Sequence, residues 1–125
     1  TAVLKAKQEM ISEVLQKAYE KVMNLSDAEY FELLTNLLKT YVQAGDGEIY
    51  FSEKDKQRIP ASFVEETEKI AASKGGKLTF ASETKQIDGG FILVYGGIEE
   101  NCTIRAIFES KRDEWSDLVQ KVMFV

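Results

Sequence analysis

The chain has 125 residues, 44% of them hydrophobic and 30% charged, with a net charge of −5, which suits one ordinary globular domain. The acidic balance, with no basic stripe to override it, argues against a nucleic-acid partner. No apolar run approaches the ~20 residues that span a bilayer. Histidine is absent, which removes the usual general base near neutral pH, the Ser-His and Cys-His dyads and the commonest zinc ligand.

The opening residues Thr1-Ala2-Val3-Leu4-Lys5 have neither an initiator Met nor the layout of a signal peptide, so the chain is expected to begin inside a longer protein. From there to Asn24 there is no Gly or Pro, and helix formers are dense. Leu4, Ile11, Ala18 and Leu25 recur every seven residues, and Gln8, Leu15 and Val22 form a second row beside them. This is the a/d stripe of a coiled coil, or of a helix lying on a partner or on its own domain. The candidate partner seam is Leu4, Ile11, Leu15, Ala18 and Val22. Left uncovered, it would also let the isolated chain self-associate.

Ser26-Asp27-Ala28-Glu29 reads as a capping box opening a second helix, which carries two adjacent apolar stripes and closes at Ala44-Gly45-Asp46-Gly47. Glu48-Ile49-Tyr50-Phe51 has strand composition. Ser52 caps a helical turn, and another helix runs from Pro60 to Ser73. Lys77 to Ala81 alternates as a strand, and Phe91 to Tyr95 is an unbroken apolar run expected to be covered on both faces. Gly96-Gly97 turns that run into a hairpin with Ile98 to Cys102. A final helix is expected from about Thr103 to Met123, with Asn101 or Thr103 as its cap. Ile104, Ile107, Phe108, Trp115, Leu118, Val119 and Val122 keep a 3.6-residue period along it. Phe91, Leu93, Phe108 and Leu118 are expected in the core, and so is Trp115. The result is an α+β fold, a small, mainly antiparallel four-stranded sheet covered by helices. It divides into a stalk-like helix over residues 1–25 and a globular head over 26–125.

Nothing along the chain carries catalytic chemistry. Cys102, the single cysteine, excludes an internal disulfide, suits a reducing compartment and reads as a small buried hydrophobe. The three Gly-Gly pairs read as turns, since none has the spacing of a P-loop. Asp46-Gly47-Glu48 is followed by Ile49, Tyr50 and Phe51 where a calcium loop needs oxygen ligands. Glu99 and Glu100, adjacent on a strand, point to opposite faces and make a poor acid/base pair. No catalytic, metal or cofactor site is expected.

Gly47 to Asp55, then Gly89-Gly90-Phe91-Ile92-Leu93 followed by Ile98-Glu99-Glu100-Asn101-Cys102, and the closing Val119-Gln120-Lys121-Val122-Met123-Phe124, together resemble the E subunit of the V/A-type rotary ATPases. The resemblance covers roughly Tyr30 to Val125. It implies a non-catalytic peripheral-stalk, or stator, protein that links the catalytic head to the membrane sector. In that family a long N-terminal helix pairs with a second stalk subunit, and an α+β head binds the N-terminal region of the non-catalytic B subunit. The complex couples proton or sodium transport to ATP synthesis or hydrolysis, and the stalk protein is cytoplasmic and peripheral to the membrane. The candidate head interface is Glu99, Glu100, Asn101, Lys111, Arg112 and Asp117. Two other readings stay open, a flagellar or type III secretion ATPase regulator, whose C-terminal region is similar, and a small ligand-binding α+β domain.

Overall fold

The computed structural model describes residues 2–123. Thr1, at the start of the expected stalk segment, and Phe124 and Val125, at the end of the closing motif, lie outside the described residues. The elements run α1 (Ala2–Met23), α2 (Asp27–Tyr41), β1 (Asp46–Tyr50), α3 (Glu53–Lys56), α4 (Ala61–Ser73), β2 (Lys77–Phe80), β3 (Gly90–Tyr95), β4 (Ile98–Thr103) and α5 (Ile104–Met123). This is an α+β fold with a four-stranded sheet in the order β2-β1-β3-β4.

The chain forms two compact units, α1 with α5 in one and Leu25–Thr103 in the other. The division drawn from the sequence kept the last helix with the head. In the structure α5 packs along α1 instead.

In the Leu25–Thr103 unit the sheet is mixed. β3 pairs antiparallel with β1 and β4, while β1 and β2 run parallel in the register Asp46↔Lys77 to Ile49↔Phe80. The parallel pair follows from the connection, because α3 and α4 carry the chain back to the end of the sheet where β1 began. β3 and β4 are joined by Gly96 and Gly97, whose φ angles of 56° and 79° are those of a two-residue type I′ turn that side chains resist. β1 and β2 start side by side at another glycine contact. A Cβ on Gly76 would collide with the Gly45 carbonyl oxygen.

One face of the sheet is the core. Phe91 and Leu93 of β3, Ile49 of β1 and Leu78 of β2 are buried, as are Leu34, Leu38 and Val42 at the end of α2. Rings from four elements and a loop meet there. Phe31 of α2 lies 5.1 Å from Phe63 of α4, and Phe51 stacks on Phe80 at 5.8 Å and reaches Phe91 at 6.3 Å. The expectation that β3 is covered on both faces is corrected. Ile92 and Val94 are only half-buried and alternate with the fully buried Phe91 and Leu93, as an antiparallel strand with one packed face should be.

The helix starts follow the caps. Ser26 Oγ accepts from the Glu29 N–H at 3.3 Å, and Ser52 Oγ from the Asp55 N–H at 3.1 Å. α2 stops at Tyr41, earlier than its glycines suggested, because its last carbonyls are taken up elsewhere. Lys74 Nζ donates to the carbonyls of Lys39 (2.8 Å) and Val42 (3.1 Å), and the Gln43 N–H donates to Tyr95 Oη (3.1 Å).

The core residues expected on α5 are corrected. Phe108 is half-buried, Leu118 is 60% exposed and Trp115 is 42% exposed. Their helical period is real, but it faces one antiparallel neighbour rather than a closed core, and a single helix covers only part of so wide a stripe. Leu93→Ala should therefore cost on the order of 2–5 kcal/mol, while Leu118→Ala should leave stability within about 0.5 kcal/mol of the parent, as a surface change does. Urea unfolding of the two variants measures both. A destabilised Leu118→Ala together with an unchanged Leu93→Ala would contradict this core.

Candidate partner-binding surfaces

Among the described residues a polar cluster lies buried on the sheet side of α2. Ser52 starts α3 and so directs Asp55 inward, where it is only 2% exposed. Its Oδ2 accepts from the Tyr30 hydroxyl at 2.6 Å, and that hydroxyl accepts from the Gly90 N–H at 2.8 Å. Its Oδ1 accepts from Arg58 Nε (3.0 Å) and a terminal nitrogen (2.8 Å), while the other terminal nitrogen reaches Asp27 Oδ1 at 2.7 Å. The guanidinium lies over the Tyr30 ring, 4.4 Å from its centroid, and 5.6 Å from that of Phe31. Every buried side-chain polar atom among the described residues has a partner. In sequence this cluster was visible only as two helix caps; nothing in the spacing of Tyr30, Asp55, Arg58 and Gly90 says that they meet.

Several hollows open at the surface of the described residues. Between α2 and α4 is a hollow of about 530 Å³ with Phe31, Pro60 and Phe63 at its floor and Asp27, Glu32 and Glu66 on its rim. At the β4 edge of the sheet is a second of about 410 Å³, lined by Gln43, Tyr95, Ile98 and Glu99 to Asn101. Here the candidate head residues divide as an alternating strand requires. Glu100 accepts from Gln43 Nε2 at 2.9 Å, and Glu99 pairs with Lys85 at 3.5 Å. Asn101 Oδ1 accepts from the Thr103 N–H at 3.0 Å, closing the strand just before α5 begins. The other three candidates, Lys111, Arg112 and Asp117, are exposed on α5 in the second unit.

That second unit is an antiparallel helix pair. Tyr19 meets Phe108 edge-on at 5.8 Å, and at the other end of the pair Lys7 lies beside Leu118, Val119 and Val122. Of the candidate seam, Leu15 is buried at 5% exposure, and Leu4, Ile11, Ala18 and Val22 are half-buried. Leu15 and Tyr19 border a crevice shared with Phe108. The chain's own α5 thus lies along the stripe that the sequence offered to a partner. What remains open is the next stripe round. Val3, Met10 and Val14 on α1 and Trp115, Leu118 and Val122 on α5 are all between 42% and 72% exposed. Lys7 falls on the same helical face as Val3, Met10 and Val14 and lines a shallow groove with Leu118, Val119 and Val122, so the two stripes lie on the same side of the pair.

Among the described residues no group of three His, Cys, Asp or Glu side chains could hold a metal ion, and no helix is long and apolar enough to cross a membrane. Cys102 is fully buried, as expected.

The fold and its open faces define an α+β scaffold whose exposed features suit docking. Residues 1–124 match the family described as ATP synthase (E/31 kDa) subunit. The E subunit of the V-type ATP synthase of Acetivibrio thermocellus is 42% identical over 83% of this chain and 54% of its own length. That of Clostridium botulinum (strain Langeland) is 37% identical, and the E subunit of the V-type proton ATPase of Thermoanaerobacter pseudethanolicus 32% identical, each over 97% of this chain and 62% of its own length. The chain belongs to the E subunit family of the V-type ATP synthases. It spans between about half and three-fifths of the length of these relatives.

Burial of Cys102, helped by the Glu100 charge, pushes its thiol up from 9.0 to about 12. Burial and the hydrogen bond to Asp55 raise the Tyr30 phenol above its usual 10.0. Above about pH 9 the unfolded chain therefore releases protons that the folded chain keeps, and stability falls as pH rises, by up to about 1.4 kcal/mol per unit for each such group. Denaturation midpoints should be unaffected by these groups up to pH 8 and decline from 9 towards 12. Cys102→Ala should flatten the first part of the decline. A slope unchanged by that substitution would contradict the assignment.

Proposed function

We propose that this chain is part of a non-catalytic stator protein that ties the catalytic head of a V/A-type rotary ATPase to its membrane sector. On this reading it is cytoplasmic and peripheral to the membrane, and it serves proton or sodium transport coupled to ATP synthesis or hydrolysis. Membership of the E subunit family carries the proposal. The apolar groove on the α1–α5 pair supplies its physical counterpart, since a single-chain scaffold has no use for a continuous exposed stripe of Val, Met, Leu and Trp.

The helix of the second stalk subunit takes that groove. The stripe Leu4, Ile11, Leu15, Ala18 and Val22 remains the inner seam, and α5 shares it, so the assembled stalk end is a three-helix arrangement. The Leu25–Thr103 unit docks on the non-catalytic B subunit with Glu99, Glu100 and Asn101 on its β4 edge as candidate contacts, and Lys111, Arg112 and Asp117 on α5 are the candidate contacts of the helix pair. The role is mechanical, resisting rotor torque through packed interfaces without any chemical step.

Two outcomes test this. Calorimetry with ATP and magnesium should give no heat of binding to the isolated chain; micromolar affinity would overturn the non-catalytic reading. Val14→Glu combined with Leu118→Glu places two carboxylates in the groove, where a partner helix would have to desolvate them. Co-produced with the other ATPase subunits, this variant should lose the second stalk subunit while its circular dichroism and melting curve stay those of the parent. Undiminished co-purification would remove the groove from the interface.

A further inference from the structure

We propose that the hollow between α2 and α4 is a socket for a lysine- or arginine-bearing segment of a neighbouring protein in the complex. This rests on the stator reading above and names one surface through which the Leu25–Thr103 unit is held. The hollow, about 530 Å³, has room for such a side chain, and its floor is Phe31, Pro60 and Phe63, on which the apolar stem of a long basic side chain packs.

Its rim is acidic on both walls, with Glu32 on α2 and Glu66 on α4. Neither carboxylate has a hydrogen bond or ion pair with another described residue. Arg58, the one cation in the lining, does not neutralise them. Its donors are committed to Asp55 and Asp27 at 2.7–3.0 Å, and the three charges together are already net negative.

Arg58 also shows what this part of the fold accepts. A guanidinium already lies on the faces of Tyr30 and Phe31 with carboxylates at its edges. The outer hollow repeats that chemistry, with an aromatic floor and two carboxylates outside any ion pair. An anionic ligand would meet three carboxylates at the rim, and an apolar helix would strand Glu32 and Glu66 away from water. A cationic side chain on an apolar stem satisfies floor and rim together.

The chain is co-produced with the remaining ATPase subunits and affinity-purified as Glu32→Lys/Glu66→Lys, beside the parent and a Glu65→Lys control. Glu65 is exposed on α4 outside the hollow. The double variant should retain the second stalk subunit, which binds elsewhere, and hold the catalytic-head subunits at least about tenfold more weakly, as loss of a desolvated charge pair does. The control should match the parent. Carbodiimide coupling of the parent complex should join Glu32 or Glu66 to a lysine of another chain when that cation is lysine; an arginine there shows instead as loss of binding without a cross-link. Full retention by the double variant would overturn the socket while leaving the stator reading intact. A parent chain that brings down none of the ATPase subunits would overturn both.

Discussion

The buried carboxylate of Asp55 is the constraint around which the Leu25–Thr103 unit is arranged. A carboxylate at 2% exposure is costly unless its lone pairs are occupied, and here Tyr30 and Arg58 occupy them. Tyr30 belongs to α2, Asp55 to α3, and Gly90 begins β3, so meeting the demands of one side chain fixes three elements against each other. Apolar packing tolerates sliding by a fraction of an ångström; bonds of 2.6 to 3.0 Å in fixed directions do not. The phenylalanine cluster supplies the hydrophobic driving force, and the Asp55 network selects one arrangement of it. The same network anchors Arg58 beside the α2–α4 hollow, so the charge pattern of that surface is set from inside the core.

Most of the fold was legible because local signals were strong. Ser26 and Ser52 cap helices, Gly96-Gly97 makes a hairpin, and the 3.6-residue period of α5 is unmistakable. What escaped was every decision made by tertiary contact. The parallel pairing of β1 with β2 depends on where α4 delivers the chain, which periodicity does not encode. Trp115 and Leu118 read as core because a helical stripe says which residues share a face, but not how much of that face a neighbour covers. Likewise, the seven-residue repeat of Leu4, Ile11 and Ala18 announces a helical neighbour without naming it, and the structure supplies α5 of the same chain.

The candidate surfaces were legible in proportion to how much of each lies on one element. The residues Glu99 to Asn101 could be singled out because they are consecutive on one strand. The α2–α4 hollow could not, since Glu32 and Glu66 stand 34 positions apart in sequence and each alone is an ordinary solvated charge. Tyr30 and Asp55 carry the same lesson for the interior. Pairwise polar contacts between distant elements have no periodic signature, and only the assembled fold reveals them.

The pairing of the first helix with the last also has a consequence for how the protein is made. About 80 residues, 24 to 103, separate α1 from α5, and at 5–20 residues per second a ribosome takes roughly 4–16 s to produce them. Throughout that interval α1 is complete while α5, the helix it pairs with, has yet to be made. The intervening unit can fold in the meantime, since its sheet and helices need nothing beyond Thr103 for their described pairings. That is the moment at which a chaperone, or a partner helix already at hand, competes for the surface that α5 later covers.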